Sequence, residues 1–308
     1  MKSKNPMYMS LVLVFFISGV QLDEARSSLF INPQFPVKVT NDLVYAAAPV
    51  QSPEPTEKPL LLDLYEPDGS IAPRLRPGFI VVHGGGLVFG DKRTENMVEL
   101  CRELAARGYL CVSINYRLRG DDPPGQAGTP LARTLNAAIE DAGRAVAWLR
   151  NNAGRYNVDP ARIAVGGSSA GAAIVLRLAY GETRPRVSIA AVLCWMGGLD
   201  GNEKILDAEE PALFIVHGAD DNAVPVSEAY ALAQRARRVS IPYELYVCEG
   251  LGHNVPLDRR PAGVSLYHRL ADFLYEQMDL SHLGRKAQAR RRVLSNAQSD
   301  MRPIPCPK

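Results

Sequence analysis

The chain has 308 residues, 46% of them hydrophobic and 22% charged, with a net charge of +2. That length and composition suit one large α/β domain, or two small ones, with a substantial core. The near-neutral balance gives no support to nucleic acid as a partner, and nothing in it bears on oligomeric state.

At the N-terminus, Lys2 and Lys4 precede an apolar run from Met7 to Val20. The run is shorter than the ~20 residues a spanning helix needs. The basic-then-apolar order reads as a secretory signal over residues 1–25. It predicts a secreted or periplasmic protein with no stable membrane insertion after cleavage; the competing reading is an uncleaved anchor or a core helix. The five cysteines (Cys101, Cys111, Cys194, Cys248 and Cys306) are odd in number and lack metal-type spacing. A disulfide framework is therefore not expected, although one unnamed bridge stays open. Neither metal nor organic cofactor is indicated.

Residues 26–59 read as an N-terminal extension, rich in Pro and polar residues from Asn32 to Pro59, with short β-like pieces such as Val37-Lys38-Val39. A catalytic domain is expected over 60–280. Leu60 to Tyr65 reads as its first strand, and the apolar run Gly78 to His83 as a strand covered on both faces. Thr94 to Arg107 has helical spacing, ended by Gly108. Tyr109 to Tyr116 is the next strand, and Leu131 to Asn151 a long helix. A short apolar run from Arg162, bounded by Pro160, leads to a turn and a helix. Val187 to Trp195 and Leu213 to His217 read as strands, Val226 to Arg237 as a helix, Tyr243 to Val247 as a strand, and Val264 to Met278 as a closing helix. This alternation predicts an α/β protein with a doubly wound, mostly parallel sheet and helices on both faces. Residues 281–308 form a basic tail, read as a solvated segment rather than a polymer-binding one.

The chemistry gathers at Gly167-Ser168-Ser169-Ala170-Gly171, a G-x-S-x-G match between a strand and a helix. A nucleophile at so tight a turn needs small flanking residues, and the turn lifts its hydroxyl above the sheet edge. The N–H of Ala170 then points to where a negative oxygen would form. Serine needs a base, and histidine suits neutral pH. Of the five histidines, His83 precedes a glycine run, His217 ends a strand, His268 lies inside a helix and His282 opens the tail. His253 alone occupies a loop directly after the last strand, where open α/β sheets keep their sites. A carboxylate must orient it. Asp220 or Asp221, after the strand ending at His217, gives the chain order Ser, Asp, His; Asp200 is a more distant candidate. The glycines of His83-Gly84-Gly85-Gly86 let the backbone approach a substrate and aim N–H groups at developing charge. His83 itself is expected to brace that loop.

With these pieces the chain resembles α/β-hydrolase-fold esterases of the HGGG carboxylesterase and lipase group, and is similar to the compact bacterial feruloyl- and acetylxylan-esterase-like branch. The resemblance runs from about Leu60 to Met278. It rests on His83-Gly84-Gly85-Gly86, Asn115-Tyr116-Arg117-Leu118, Asp159-Pro160-Ala161-Arg162-Ile163, Gly167 to Gly171, His217-Gly218 with Asp221, and Gly252-His253. It implies Ser169 as nucleophile, His253 as base and Asp221 as orienter, the Asp-x-x-Val-Pro spacing after His217-Gly218 favouring Asp221 over Asp220. It also implies an oxyanion hole made by the amides of Gly85, Gly86 and Ala170, and no cofactor. Leu87 stands where the family often has an aromatic residue.

The resemblance implies hydrolysis of carboxylic esters through an acyl-enzyme. The short stretch between Trp195 and Leu213 predicts a minimal lid and an open site. Such a site suits short-chain acyl esters, as small molecules or linked to a polysaccharide as acetyl or feruloyl groups. An amidase or formamidase shares the same triad. Ala172, where peptidases of this fold commonly carry glycine, weighs against a peptidase. A non-catalytic binding protein on the same scaffold would be expected to lack a triad member.

Overall fold

The computed structural model describes residues 29–69, 72–126, 128–181, 188–284 and 304–306. The expected signal segment 1–25 and most of the 281–308 tail lie outside the described residues. Strands β1 (Val37–Val50), β2 (Thr56–Pro67), β3 (Arg76–Val82), β4 (Leu110–Ile114), β5 (Val158–Ser168), β6 (Ala191–Trp195), β7 (Ala212–Gly218), β8 (Tyr243–Cys248) and β9 (Ile304–Cys306) form one sheet. Its order is β1-β2-β4-β3-β5-β6-β7-β8-β9. β1 with β2, and β2 with β4, pair antiparallel; every other pair is parallel.

The apolar runs of β3 and β7 are buried at every position, as parallel strands covered on both faces must be. Helices α1 (Glu95–Ala106), α2 (Pro130–Asn151), α3 (Ala170–Tyr180), α4 (Ser227–Arg238) and α5 (Leu266–Gln277) supply the cover. Successive strand side chains point to opposite faces. Phe79 and Val81 of β3 therefore join α1 and α5 in one apolar cluster, while Ile80 and Val82 join α2, α3 and α4 in the other. The chain leaves β3 toward β4 on one side and leaves β5 toward β6 on the other, so the loops leaving β3 and β5 diverge at the carboxyl edge, the switch point where open α/β sheets form their crevice.

Three stretches differ from the sequence expectation. The Pro-rich segment is a long hairpin, with Val37 opposite Pro67 and Val50 opposite Thr56. Pro49 and Pro59 obscure it in sequence, yet an edge hairpin accommodates proline, which has no N–H for a ladder. β5 begins at Val158 and carries Pro160 near its start, beside a register irregularity opposite Arg76–Gly78. From the stretch read as a tail, Ile304–Cys306 adds a parallel strand along β8. Between β6 and β7, the only regular element is the short 3-10 turn Glu203–Ile205. The thiols of Cys101 on α1 and Cys111 on β4 lie 2.6 Å apart in the core.

Phe214 anchors α5, and with it the chain that returns from the crevice, to β7. Its ring is fully buried, 5.1 Å from Tyr246 and 5.4 Å from Phe273. Phe214→Ala is expected to lower the unfolding free energy by ~3–5 kcal/mol, read from a urea titration.

Candidate active site

β5 ends at Ser168 and α3 begins at Ala170, leaving Ser169 alone at the turn. Its backbone has φ 55° and ψ −121°, a region that non-glycine residues occupy at a cost of ~1–3 kcal/mol. Close packing imposes it. A Cβ on Gly167 would lie 2.3 Å from the carbonyl of Gly171, and one on Gly171 would lie 2.1 Å from the carbonyl oxygen of Val82. The Ser169 N–H donates to the Trp195 carbonyl at 2.9 Å, which ties the turn to the end of β6.

The loop after β8 brings His253 over this turn. The Ser169 hydroxyl donates to His253 Nε2 at 2.8 Å, and His253 Nδ1–H donates to Asp221 Oδ2 at 2.7 Å. The loop is fixed from below: Trp195 Nε1–H donates to the Val255 carbonyl at 2.8 Å, and Val255 N–H to Met196 Sδ at 3.1 Å. Asp221 follows β7, and its Oδ1 accepts N–H groups from Ala223 and Val224, both at 2.9 Å. Burial pushes the Asp221 carboxyl up. The hydrogen bonds from His253, Val224 and Ala223 outweigh it and hold the carboxyl below its ordinary value.

Of the three aspartates weighed from sequence, Asp221 reaches His253. Asp220 is exposed, and its N–H donates to the Leu251 carbonyl at 2.8 Å. Asp200 pairs with Arg177 at 3.4 Å.

The loop leaving β3 carries the glycines. Val88 and Phe89 N–H groups donate to the Gly85 carbonyl at 3.0 and 3.1 Å, folding the loop back on itself. Gly85 has φ +108°, and a Cβ there would lie 2.0 Å from the Phe89 carbonyl oxygen, so no other residue fits. Hydrogen bonds among the described residues leave the N–H groups of Gly85, Gly86 and Ala170 unused. Exposed Val88 and Phe89 stand beside them.

His83 braces the loop. Its Nδ1–H donates to the Gly84 carbonyl at 2.7 Å, its ring stacks 4.4 Å from that of Tyr116, and its carbonyl accepts the Tyr116 hydroxyl at 2.9 Å. Burial holds the His83 ring below the ordinary histidine value. Downstream, Asn115 Oδ1 accepts Lys92 N–H at 2.6 Å, and Asn115 Nδ2 donates to Asp91 at 2.9 Å. Lys92 Nζ reaches Asp42 at 2.8 Å and Asp63 at 3.2 Å, while Arg93 holds both carboxylates at 2.6 and 2.7 Å. Buried Arg117 pairs with buried Asp141 on α2 at 2.8 Å. The sequence reading gave these residues no role. The available signals were the Asn115-Tyr116-Arg117-Leu118 motif, which carried only the resemblance, and Asp63, a charge inside the apolar run Leu60–Tyr65.

Two family models match the chain: BD-FAE over residues 62–203, and the prolyl oligopeptidase family over residues 199–281. The first match contains Ser169 and the glycine loop, the second Asp221 and His253. The chain is 31% identical over 180 residues to Esterase LipQ of Mycobacterium tuberculosis, covering 56% of this chain and 38% of that protein. It is 34% identical over 137 residues to Carboxylic ester hydrolase LipN of the same organism, covering 43% of this chain and 32% of that one. The chain thus spans only about a third to two fifths of the length of these relatives. Among solved structures, it matches a truncated carbohydrate esterase from gut microbiota with TM-score 0.60 and 17% identity, over 80% of this chain and 98% of that one. It matches Thermogutta terrifontis esterase 2 phosphonylated by cyclosarin with TM-score 0.60 and 21% identity, over 82% and 95%. An alpha/beta hydrolase enzyme from a deep-sea metagenome library matches with TM-score 0.57 and 21% identity, over 79% and 99%. The architecture is the α/β-hydrolase fold.

The site predicts how stability responds to acid. Burial holds both His83 and His217 below the ordinary histidine value. Below about pH 6.5 the unfolded chain therefore binds protons that the folded one refuses, and stability falls. Asp221 is also lowered. Its contribution is complete above the ordinary Asp range near pH ~4 and is lost as pH falls through the folded value. Urea midpoints should drop from pH 7 to 5.5 and again below 4, and Asp221→Asn should flatten only the second drop.

Proposed function

We propose that this α/β-hydrolase-fold chain is a carboxylic ester hydrolase that works through an acyl-enzyme on Ser169. The observation that carries the reading is the continuous relay from Ser169 Oγ through His253 to Asp221; the N–H groups of Gly85, Gly86 and Ala170, unused by hydrogen bonds among the described residues, support it.

In this reading His253 Nε2 removes the Ser169 proton as Oγ attacks the ester carbonyl. Asp221 stabilises the imidazolium that forms and holds the ring in the tautomer with its proton on Nδ1. The negative oxygen is stabilised by the amides of Gly85, Gly86 and Ala170, whose fixed positions need no reorganisation as charge develops. The imidazolium then protonates the leaving alkoxide, and water repeats the sequence to release the acid.

The short β6–β7 connection leaves the crevice open, and Val88 and Phe89 offer an apolar rim beside the amides. Both features support short acyl groups, or acetyl and feruloyl groups on a carbohydrate, over long chains. Relatives named as esterases point the same way. The basic-then-apolar order from Lys2 to Val20 supports an exported enzyme. A second reading, cleavage of an amide or peptide bond, is favoured by the prolyl oligopeptidase match over 199–281.

Hydrolysis of p-nitrophenyl esters from acetyl to decanoyl, methyl ferulate and matched p-nitroanilides separates these readings. We expect activity to peak at acetyl or at ferulate and to fall at least about a thousandfold in Ser169→Ala. Near-normal turnover by that variant would overturn the mechanism, and a preference for the anilides would favour the second reading.

A further inference from the structure

β7 points one row of side chains, Leu213 and Ile215, into the apolar cluster under α2, α3 and α4. The next residue of that row is His217, whose side chain is fully buried. An aliphatic residue would continue the packing at no polar cost. Histidine there is expensive, because its Nδ1 is buried with no hydrogen-bond partner among the described residues and an orphaned polar atom loses its solvation without return. Rule-breaking residues of this kind tend to stand at functional sites.

What the ring gains is specific. Its Nε2 lies 2.9 Å from the Val224 carbonyl, an acceptor only, so the ring proton is on Nε2. The same nitrogen lies 3.3 Å from Asp221 Oδ2, the oxygen that accepts His253 Nδ1–H. Val224 in turn donates its N–H to Asp221 Oδ1. His217 thus grips the loop that wraps the carboxylate and approaches the carboxylate itself. The other charged or titratable groups facing the ring are His253 and Glu228.

We propose that His217 is a positioning residue: its Nε2–H fixes the Val224 carbonyl and Asp221 Oδ2 together, setting the angle at which the carboxylate meets His253. The inference rests on the Ser169–His253–Asp221 reading above. It adds a second imidazole at the same carboxylate oxygen, one that never touches substrate.

Two variants test it. His217→Leu removes the N–H and keeps an apolar filling, whereas His217→Gln returns an amide N–H near the Nε2 position. The readouts are kcat and KM on p-nitrophenyl acetate, the rate of Ser169 phosphorylation by paraoxon followed by intact mass, and the urea midpoint. His217→Leu is expected to lower kcat and the saturating phosphorylation rate about tenfold, the upper end of what one hydrogen bond contributes, with KM within about twofold of wild type. His217→Gln should recover most of both rates. Unchanged rates in His217→Leu would overturn the proposal. So would equal losses in both variants that track their urea midpoints, since those mark a packing role. Ser169→Ala separates the two levels. Phosphorylation that survives in it, or is absent from the wild type, overturns the triad reading and this proposal together; normal labelling without ester turnover overturns only the ester assignment.

Discussion

Trp195 joins the two halves of the site. Its carbonyl accepts the Ser169 N–H, and its indole donates to the Val255 carbonyl two residues beyond His253. Ser169 and His253 come from loops far apart in sequence, yet both are referenced to the last residue of β6. A strand end inside a parallel sheet is among the stiffest anchors available, being hydrogen-bonded on both sides. Close packing continues past it: a Cβ on Gly197 would lie 2.3 Å from that of Ala172, so the loop leaving β6 runs directly against the first turn of α3. The 2.8 Å contact between Ser169 and His253 is thus set by the sheet rather than by the two loops that carry it.

The glycine loop is held differently, by charge. Asp63 and Lys92 are both buried, and Asp42 and Arg93 complete their pairing. Burying such a group is costly, and the attraction between partners roughly offsets the cost, so the net gain in stability is small. What the cluster supplies is direction. Asp42 lies on β1, Asp63 on β2, and Lys92 and Arg93 just beyond the Gly85–Phe89 turn, so the N-terminal hairpin becomes a strut for the loop that bears Gly85 and Gly86. A pair with one exposed partner, such as Lys38 with Glu66, carries no comparable information.

This contrast explains what was legible in the sequence. Ser169, Gly167 and Gly171 announce themselves because the turn tolerates so few residue types. His253 emerges by elimination, since loop position after a final strand is readable from apolar periodicity. The parallel core was legible for the same reason, β3 and β7 being continuous apolar runs. Choosing Asp221 over Asp220 needed the family spacing, because adjacent aspartates have identical local chemistry and only the fold decides which one turns inward. The hairpin was obscured by Pro49 and Pro59, whose meaning depends on their being at a sheet edge. Trp195 and Lys92 were silent, and His217 counted only as part of a motif, because their contacts are made with partners that no local pattern encodes.

The three imidazoles of the site show how burial divides labour among like groups. His83 and His217 are enclosed, and desolvation holds each of them below the ordinary histidine value. His253 keeps 29% of its side chain exposed. Asp221 stands between His217 and His253 and can stabilise one positive ring fully, not two. Were His217 to take a proton, the carboxylate would already be neutralised when His253 needed it. A buried, neutral N–H at that position orients the carboxylate through a dipole and leaves its full charge for the ring that changes state. On the proposed mechanism, burial of His217 at the end of the Leu213 and Ile215 row therefore bears on the chemistry as well as on the fold, by disfavouring a charge on the inner imidazole.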